Sequence, residues 1–299
     1  LERVYKMKQL EKCNLCPRNC GINRINGQIG FCGAGANVKI ARSSLHFWEE
    51  PCLSGKNGSG TVFFSYCTLK CVFCQNHKIS NGGKGNEITV QQLADIFMEL
   101  QNEGANNINL VTPTHYVPQI IEALKKARDM GLNIPIVYNS SGYEKIETIK
   151  MLEGYVDVYL PDFKYFSEEY SNKYSKASDY PEYARSAIDE MVRQVGAPIF
   201  DENGIMLKGV IIRHLMLPGL LLDSKKVVEY IYKMYINSVY ISIMNQYTPL
   251  DIVGDYPEIN RRLNPRHYNK VIDYAIDLGV ENAFIQEGDT ASESFIPDF

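Results

Sequence analysis

From Thr61 onward the chain alternates short apolar runs with helix-length segments, and no other feature narrows the possible folds as much. The runs are TVFFS (61–65), NINLV (107–111), IPIVYN (134–139), VDVYL (156–160), GVIIRHL (209–215) and VYISIM (239–244). They are apolar on both faces, as strands buried in a parallel sheet are. Helices are expected between them. The segment 90–103 opens after Thr89, an N-cap that Gln92 completes as a capping box. The segment 117–130 stops at Gly131, which suits the left-handed residue after a helix. Further helices are expected over 144–152, 181–194, 224–235 and 265–278, the last with Pro265 in the first turn and Gly279 after the end. Asn203-Gly204 between apolar flanks predicts a hairpin before the fifth strand. Six strand–helix alternations imply a parallel α/β barrel or a doubly wound sheet.

Size and charge agree with one such domain. The 299 residues exceed a typical domain, but a barrel of about 250 residues fills most of them. Hydrophobic residues at 45% and charged residues at 22% exclude a disordered or collagen-like chain. A net charge of −4 argues against a broad basic surface for nucleic acid. No apolar run reaches the roughly 18 residues of a membrane span. The opening LERVYKMKQLEK lacks the apolar centre of a signal peptide. A cytoplasmic protein with no nucleic-acid or membrane partner is expected.

All eight cysteines, Cys13, Cys16, Cys20, Cys32, Cys52, Cys67, Cys71 and Cys74, lie in the first quarter of the chain. Disulfides staple small secreted domains, whereas tight groups of cytosolic cysteines more often bind metal. Residues 1–60 are rich in glycine and poor in periodic apolar residues, so a metal is the obvious staple there. The expected organisation is a Cys-rich extension over 1–60 and a barrel with a C-terminal helix and tail over 61–299. Cys67, Cys71 and Cys74 follow directly on the first barrel strand. Structural zinc takes four closed ligands, and only His77 stands close behind these three. A cubane iron–sulfur cluster held by three cysteines instead leaves one iron open. An open iron can bind a substrate or cofactor and pass it an electron.

C-x3-C-x2-C with Phe73 before the third cysteine resembles the signature of the radical S-adenosylmethionine (SAM) superfamily. The wider chain resembles glycyl-radical-enzyme activases, in particular the pyruvate formate-lyase activating enzyme-like branch. The stretches that carry the resemblance are CNLCPRNCGINR (13–24), GFCGAG (30–35), EEPCLSGKNGSGTVFFSYCTLKCVFCQNHKIS (49–80), LVTPTHYVPQI (110–120) and FIQEGDTASESFIPDF (284–299). The resemblance implies a partial (β/α)6 TIM-type barrel with a [4Fe–4S] cluster at its C-terminal mouth, where barrel active sites lie. It implies SAM chelated at the open iron and cleaved by an electron to a 5′-deoxyadenosyl radical, which abstracts hydrogen from a substrate. The protein then binds, orients and excludes water. It also implies a flavodoxin- or ferredoxin-type donor, and a protein substrate that becomes a glycyl radical enzyme. A peptide or small-metabolite substrate, or a non-catalytic zinc scaffold, are the alternatives.

On that fold the polar residues at successive strand ends are the SAM candidates. Strand two ends in Thr112 and Thr114, where relatives commonly carry a Gly-Gly-Glu stretch; a plain turn is the competing reading. His115 beside them is a candidate proton donor or a structural residue. Strand three ends in Asn139, Ser140 and Ser141, which bind ligand or cap the next helix. Asp162 and Lys164 resemble the Asp-x-Lys segment of activases. Arg213 on strand five has the fork geometry for a carboxylate. Asn245, Gln246 and Tyr247 end strand six. Phe73 is expected against the adenine and Asn76 beside the cluster. Cys13, Cys16, Cys20 and Cys32 supply four ligands, and C-x2-C-x3-C resembles the amino-terminal motif of some molybdopterin oxidoreductases. A second [4Fe–4S] cluster and zinc are the two readings there. Cys52 reads as a small buried apolar residue, with an exchangeable ligand or a substrate thiol contact as the alternatives.

Overall fold

The computed structural model describes residues 7–286. Their strands are β1 (Val38–His46), β2 (Ser59–Phe64), β3 (Asn86–Ile88), β4 (Ile108–Val111), β5 (Ile136–Ser140), β6 (Val158–Pro161), β7 (Ile199–Phe200), β8 (Met206–Leu215), β9 (Tyr240–Met244) and β10 (Ala283–Ile285). They form one sheet in the order β10-β9-β8-β6-β5-β4-β2-β1-β3, with β7 paired to β8 off this path. Seven of them, β2, β4, β5, β6, β8, β9 and β10, run parallel. The six apolar runs all lie on the parallel strands, and the architecture is the expected α/β partial barrel.

The helices follow their local signals. Thr89 caps the helix Val90–Asn102, and the capping box with Gln92 is formed. Gly279 closes Pro265–Leu278 in the left-handed conformation, and Gly131 follows Val117–Asp129 at φ 103°. Asn203-Gly204 turns β7 into β8 as an antiparallel hairpin. Other helices run a few residues off expectation, at Ile146–Met151, Tyr180–Val195 and Leu221–Tyr235. Glu168–Ser175 is a helix the sequence reading passed over. The segment read as loop-rich contains β1, which pairs antiparallel with β2 and β3 and so extends the sheet beyond the parallel strands. Its burial is uneven along its length, which hides it from a periodicity argument. Most of the tail stretch 284–299 lies outside the described residues. Among the described residues, no helix is long and apolar enough to cross a membrane.

Successive strand side chains point to opposite faces, and the apolar residues divide accordingly into two cores. Leu110, Tyr138, Tyr159, Val210 and Ile212 pack outward with helix residues such as Phe97, Leu124, Ile188 and Ile231. Val137, Val158, Leu160 and Ile211 form a smaller core with Cys52, Leu53 and Met206. Cys52 is thus a packed apolar side chain. Two residues further along the same strand face, polar side chains take over: Asn139 after Val137, Asp162 after Leu160 and Arg213 after Ile211. This change from apolar to polar places the cavity at the C-terminal ends of the strands.

Candidate active site

β2 runs into the loop of Cys67, Cys71 and Cys74. Backbone bonds from Tyr66 to Ile79 and from Val72 to Tyr174, both 2.9 Å, pin the loop to the elements around it. Leu69 plugs it from within and is fully buried. Two of its residues, Tyr66 (φ 76°) and Lys70 (φ 55°), adopt the left-handed conformation. Thr112, at the end of β4, does so as well at φ 59°, which is a costly position for a β-branched residue. Strained backbone of this kind concentrates at functional sites. Of the three, Thr112 lines the cavity itself.

The three thiols line one cavity. Each sulfur accepts a hydrogen bond: Cys67 from the Leu69 N–H (3.3 Å), Cys71 from the Ser175 hydroxyl (3.1 Å) and Cys74 from the Ser80 hydroxyl (3.4 Å). Burial pushes all three thiols up, and each is raised further by a neighbouring cysteine of the trio, while Lys164 opposes the rise. Donors aimed at sulfurs that cannot ionise unaided suit thiolates neutralised by metal. The donor set therefore fits an iron–sulfur cluster. Among the described residues, no three His, Cys, Asp or Glu side chains are gathered as ligands of a single ion. Cysteines of a cubane instead bind separate irons.

Beside the thiols stands a buried ionic network. Asp162 accepts from Lys164 at 2.6 Å and from Arg213 Nε at 3.0 Å. Arg213 also donates to the Asn139 side-chain oxygen at 2.6 Å and reaches Glu49 at 3.4 Å. Burial alone would raise the Asp162 carboxyl, but Lys164 and Arg213 outweigh it and hold the group below its ordinary value. Glu49 and its neighbour Glu50 go the other way: burial raises both, and Arg213 only partly offsets it. Phe73 closes the floor, edge-on to Tyr165 at 6.4 Å and to Tyr247 at 6.2 Å. The Gln75 amide donates to the Gln246 carbonyl at 2.8 Å and ties the loop to the end of β9.

Of the residues singled out from sequence, Phe73, Asn76, Thr112, Asn139, Ser140, Ser141, Asp162, Lys164, Arg213 and Gln246 line the cavity with the three cysteines. Thr114 and Asn245 do not. The Thr114 hydroxyl donates to the buried Glu144 at 2.6 Å. Asn245 is one residue past Met244, which faces the cavity, so alternation turns it away, towards Gln286. His115 is buried, bonded to the Ser65 carbonyl at 2.8 Å, and burial pushes it down to about 3. It is therefore neutral at ordinary pH and serves the fold rather than proton donation. Tyr247 bonds the Ile259 carbonyl. The sequence reading missed His46, Trp48, Glu49, Gln75, Leu215 and Met244. Strand alternation from Arg213 would have found Leu215; Glu49 sat unremarked in the EEPC stretch.

The profile of the Radical SAM superfamily matches residues 61–206. An uncharacterized protein of Methanocaldococcus jannaschii is 32% identical over 277 residues, covering 89% of this chain and 74% of that protein. The crystal structure of SuiB of Streptococcus suis bound to S-adenosylmethionine superposes with a TM-score of 0.51 at 15% identity, over 75% of this chain and 49% of that one. SuiB bound to its precursor peptide SuiA gives a TM-score of 0.50 at 15% identity, over 75% and 47%. The chain thus spans about half the length of these solved structures, and at this identity the likeness is one of fold. The superfamily uses a [4Fe–4S] cluster and SAM, and the thiol loop at the strand ends has the donors for the first. On the profile and on the relative matched over 89% of this chain, the chain belongs to the radical SAM superfamily.

Proposed function

We propose that Cys67, Cys71 and Cys74 hold the [4Fe–4S] cluster, that SAM lies in the cavity beside them, and that the enzyme abstracts hydrogen from a polypeptide, converting a partner into a glycyl radical enzyme. The observation that carries this reading is the convergence of three buried thiols and a buried Asp162–Lys164–Arg213 network on one cavity at the strand ends. With both groups bound and one electron delivered, the pair supplies a 5′-deoxyadenosyl radical. The chain's own task is to bind, orient and exclude water. Arg213 and Lys164 offer cations to a carboxylate, and Asp162 offers an anion to an ammonium. Asn139 and Ser141 present polar atoms for a ribose or the methionine carboxylate. Phe73 gives the adenine an aromatic face. Leu69, Val111, Leu215 and Met244 keep water from the reacting atoms. A flavodoxin- or ferredoxin-type protein is the proposed electron donor.

The polypeptide substrate rests on the rim. Trp48 lines the cavity while remaining 66% exposed, and Phe47 beside it is 51% exposed. Aromatic side chains held at a mouth suit a chain with side chains of its own better than a small metabolite. A free peptide fits the same rim and is the second reading. The test uses anaerobically reconstituted protein with SAM and dithionite. It should release 5′-deoxyadenosine, and adding the right glycyl radical enzyme should produce the EPR doublet of a glycyl radical. No 5′-deoxyadenosine from cluster-loaded protein overturns the reading. Release with peptides but never a doublet transfers it to peptide modification.

A further inference from the structure

Outside the proposed active site, one region of the molecule gathers reactive groups with no assigned role: Cys13, Cys16, Cys20 and Cys32. Between Glu11 and Val38 the chain forms neither helix nor strand. Nevertheless, it folds back on itself tightly. The Cys13 N–H donates to Ile22 at 2.8 Å and the Gly21 N–H returns to Cys13 at 2.9 Å. Gly30 lies so close to Cys20 that a β-carbon there would stand 2.9 Å from its sulfur.

Three of the four sulfurs face an N–H donor. Cys20 accepts from the Phe31 N–H and Cys32 from the Ala34 N–H, both at 3.4 Å. Cys13 faces Arg24 Nη1 at 3.9 Å. Cys16 and Cys32 are buried and Cys13 and Cys20 half-buried, so the four thiols belong to the folded loop rather than to its surface.

Arg24 is an independent second observation. It is 1% exposed. Its hydrogen-bond partners among the described residues are the Gly35 carbonyl, the His115 carbonyl and the Cys13 sulfur. Carbonyls satisfy its donors but leave its charge without a counter-ion, and a buried charge without one is costly. Four thiolates around a metal carry net negative charge and would provide it.

We infer that Cys13, Cys16, Cys20 and Cys32 bind a second metal centre as thiolates, with Arg24 as its buried counter-charge. The site takes a thiophilic metal: as they stand, the four thiols are not gathered around a single ion and suit a [4Fe–4S] cluster, whose cysteines bind separate irons, while zinc would require the loop to draw in around it. Its function is to brace the active-site loop. Arg18, within the first cysteine loop, donates to the Thr68 carbonyl at 3.0 Å and to the Leu69 carbonyl at 3.4 Å. It also donates to the Ser175 carbonyl at 2.9 Å, and the Ser175 hydroxyl bonds Cys71. One guanidinium thus joins the two cysteine loops, and the fold of its own loop depends on what the four thiolates hold.

The test counts metal. The triple variant Cys67→Ala/Cys71→Ala/Cys74→Ala removes the proposed active-site cluster; it is reconstituted anaerobically with iron, sulfide and zinc, with folding checked by circular dichroism. A folded triple variant should retain about four irons with sulfide, or about one zinc, per chain. The same variant carrying Cys13→Ala and Cys16→Ala should retain neither. A folded triple variant without metal overturns the inference. If the triple variant fails to fold, the wild-type count decides: about eight irons, or about four with one zinc, supports the second centre, and about four irons alone overturns it. SAM cleavage is scored separately on wild type, so failure here leaves the proposed function standing.

Discussion

The loop of Cys67, Cys71 and Cys74 hangs from the end of β2, with the parallel sheet beneath it and helices packed around it; the loop of Cys13, Cys16, Cys20 and Cys32 has no strand or helix of its own. Burial supports the first. The second contributes only a few buried apolar side chains, such as Leu15 and Ala34, and is fastened by polar reach: Arg18, Arg24, and the Thr148 hydroxyl on the Leu15 carbonyl at 2.7 Å. Similar thiol chemistry is therefore held in two ways. A barrel positions its ligands before any metal arrives, whereas a glycine-rich loop derives much of its order from the metal.

That contrast can be broken at several points. Cys71→Ala should have the largest effect: no 5′-deoxyadenosine above background, with the barrel intact by circular dichroism. Retained cleavage would remove the pre-positioned loop from the comparison. Arg213→Ala comes next. It leaves Asp162 and Glu49 buried beside a lost cation, and breaking such a network costs about 3–5 kcal/mol, to be read from denaturant unfolding. A loss near zero would mean that water already compensates these charges. Arg18→Ala should lose roughly 1.5–3 kcal/mol of charge-assisted bonding and speed chelator-driven loss of iron from the active-site loop. Arg18→Lys should not rescue it, because an ammonium lacks the fork that reaches several carbonyls. An unchanged release rate would uncouple the loops.

A pH titration sharpens the barrel's side of the contrast. Burial pushes Glu144 up to about 8, with Thr114, Ser140 and Tyr138 opposing the rise. Its folded form keeps a proton that the unfolded chain releases near 4.5, so its contribution is full below that pH and fades as pH climbs towards 8. The slope is at most about 1.4 kcal/mol per pH unit. Glu144→Gln should flatten the dependence of the thermal midpoint on pH over this window. An unaltered slope would place the titration elsewhere.

Much of this was legible in the residues. The six apolar runs became parallel strands because runs apolar on both faces suit a sheet covered on both sides, and Thr89, Gln92, Gly131 and Gly279 mark helix ends through local chemistry. β3 and β10 escaped because three residues are too few to show a period, and β1 because its exposure changes along its length. At the site, a strand-end argument finds the mouth but not which of two adjacent residues turns inward. Asn139, Asp162 and Arg213 were found on that argument, while Asn245 faces away and Thr114 serves Glu144. Glu49 and His46 come from a segment distant in sequence, which only tertiary folding brings to the cavity, whereas Gln75 directly follows Cys74 and was passed over within the motif itself.

The Asp162–Lys164–Arg213 cluster has one further consequence. Its two cations share the carboxylate of Asp162, and Glu49 stands 3.4 Å from Arg213 as a second, so both signs are already present for a zwitterionic guest to meet. It can trade partners: each contact surrendered inside the protein is matched by one regained across the boundary, and the tally of opposite charges stays constant. On the proposed function, entry then selects for molecules carrying both signs at the right spacing and turns away those with only one.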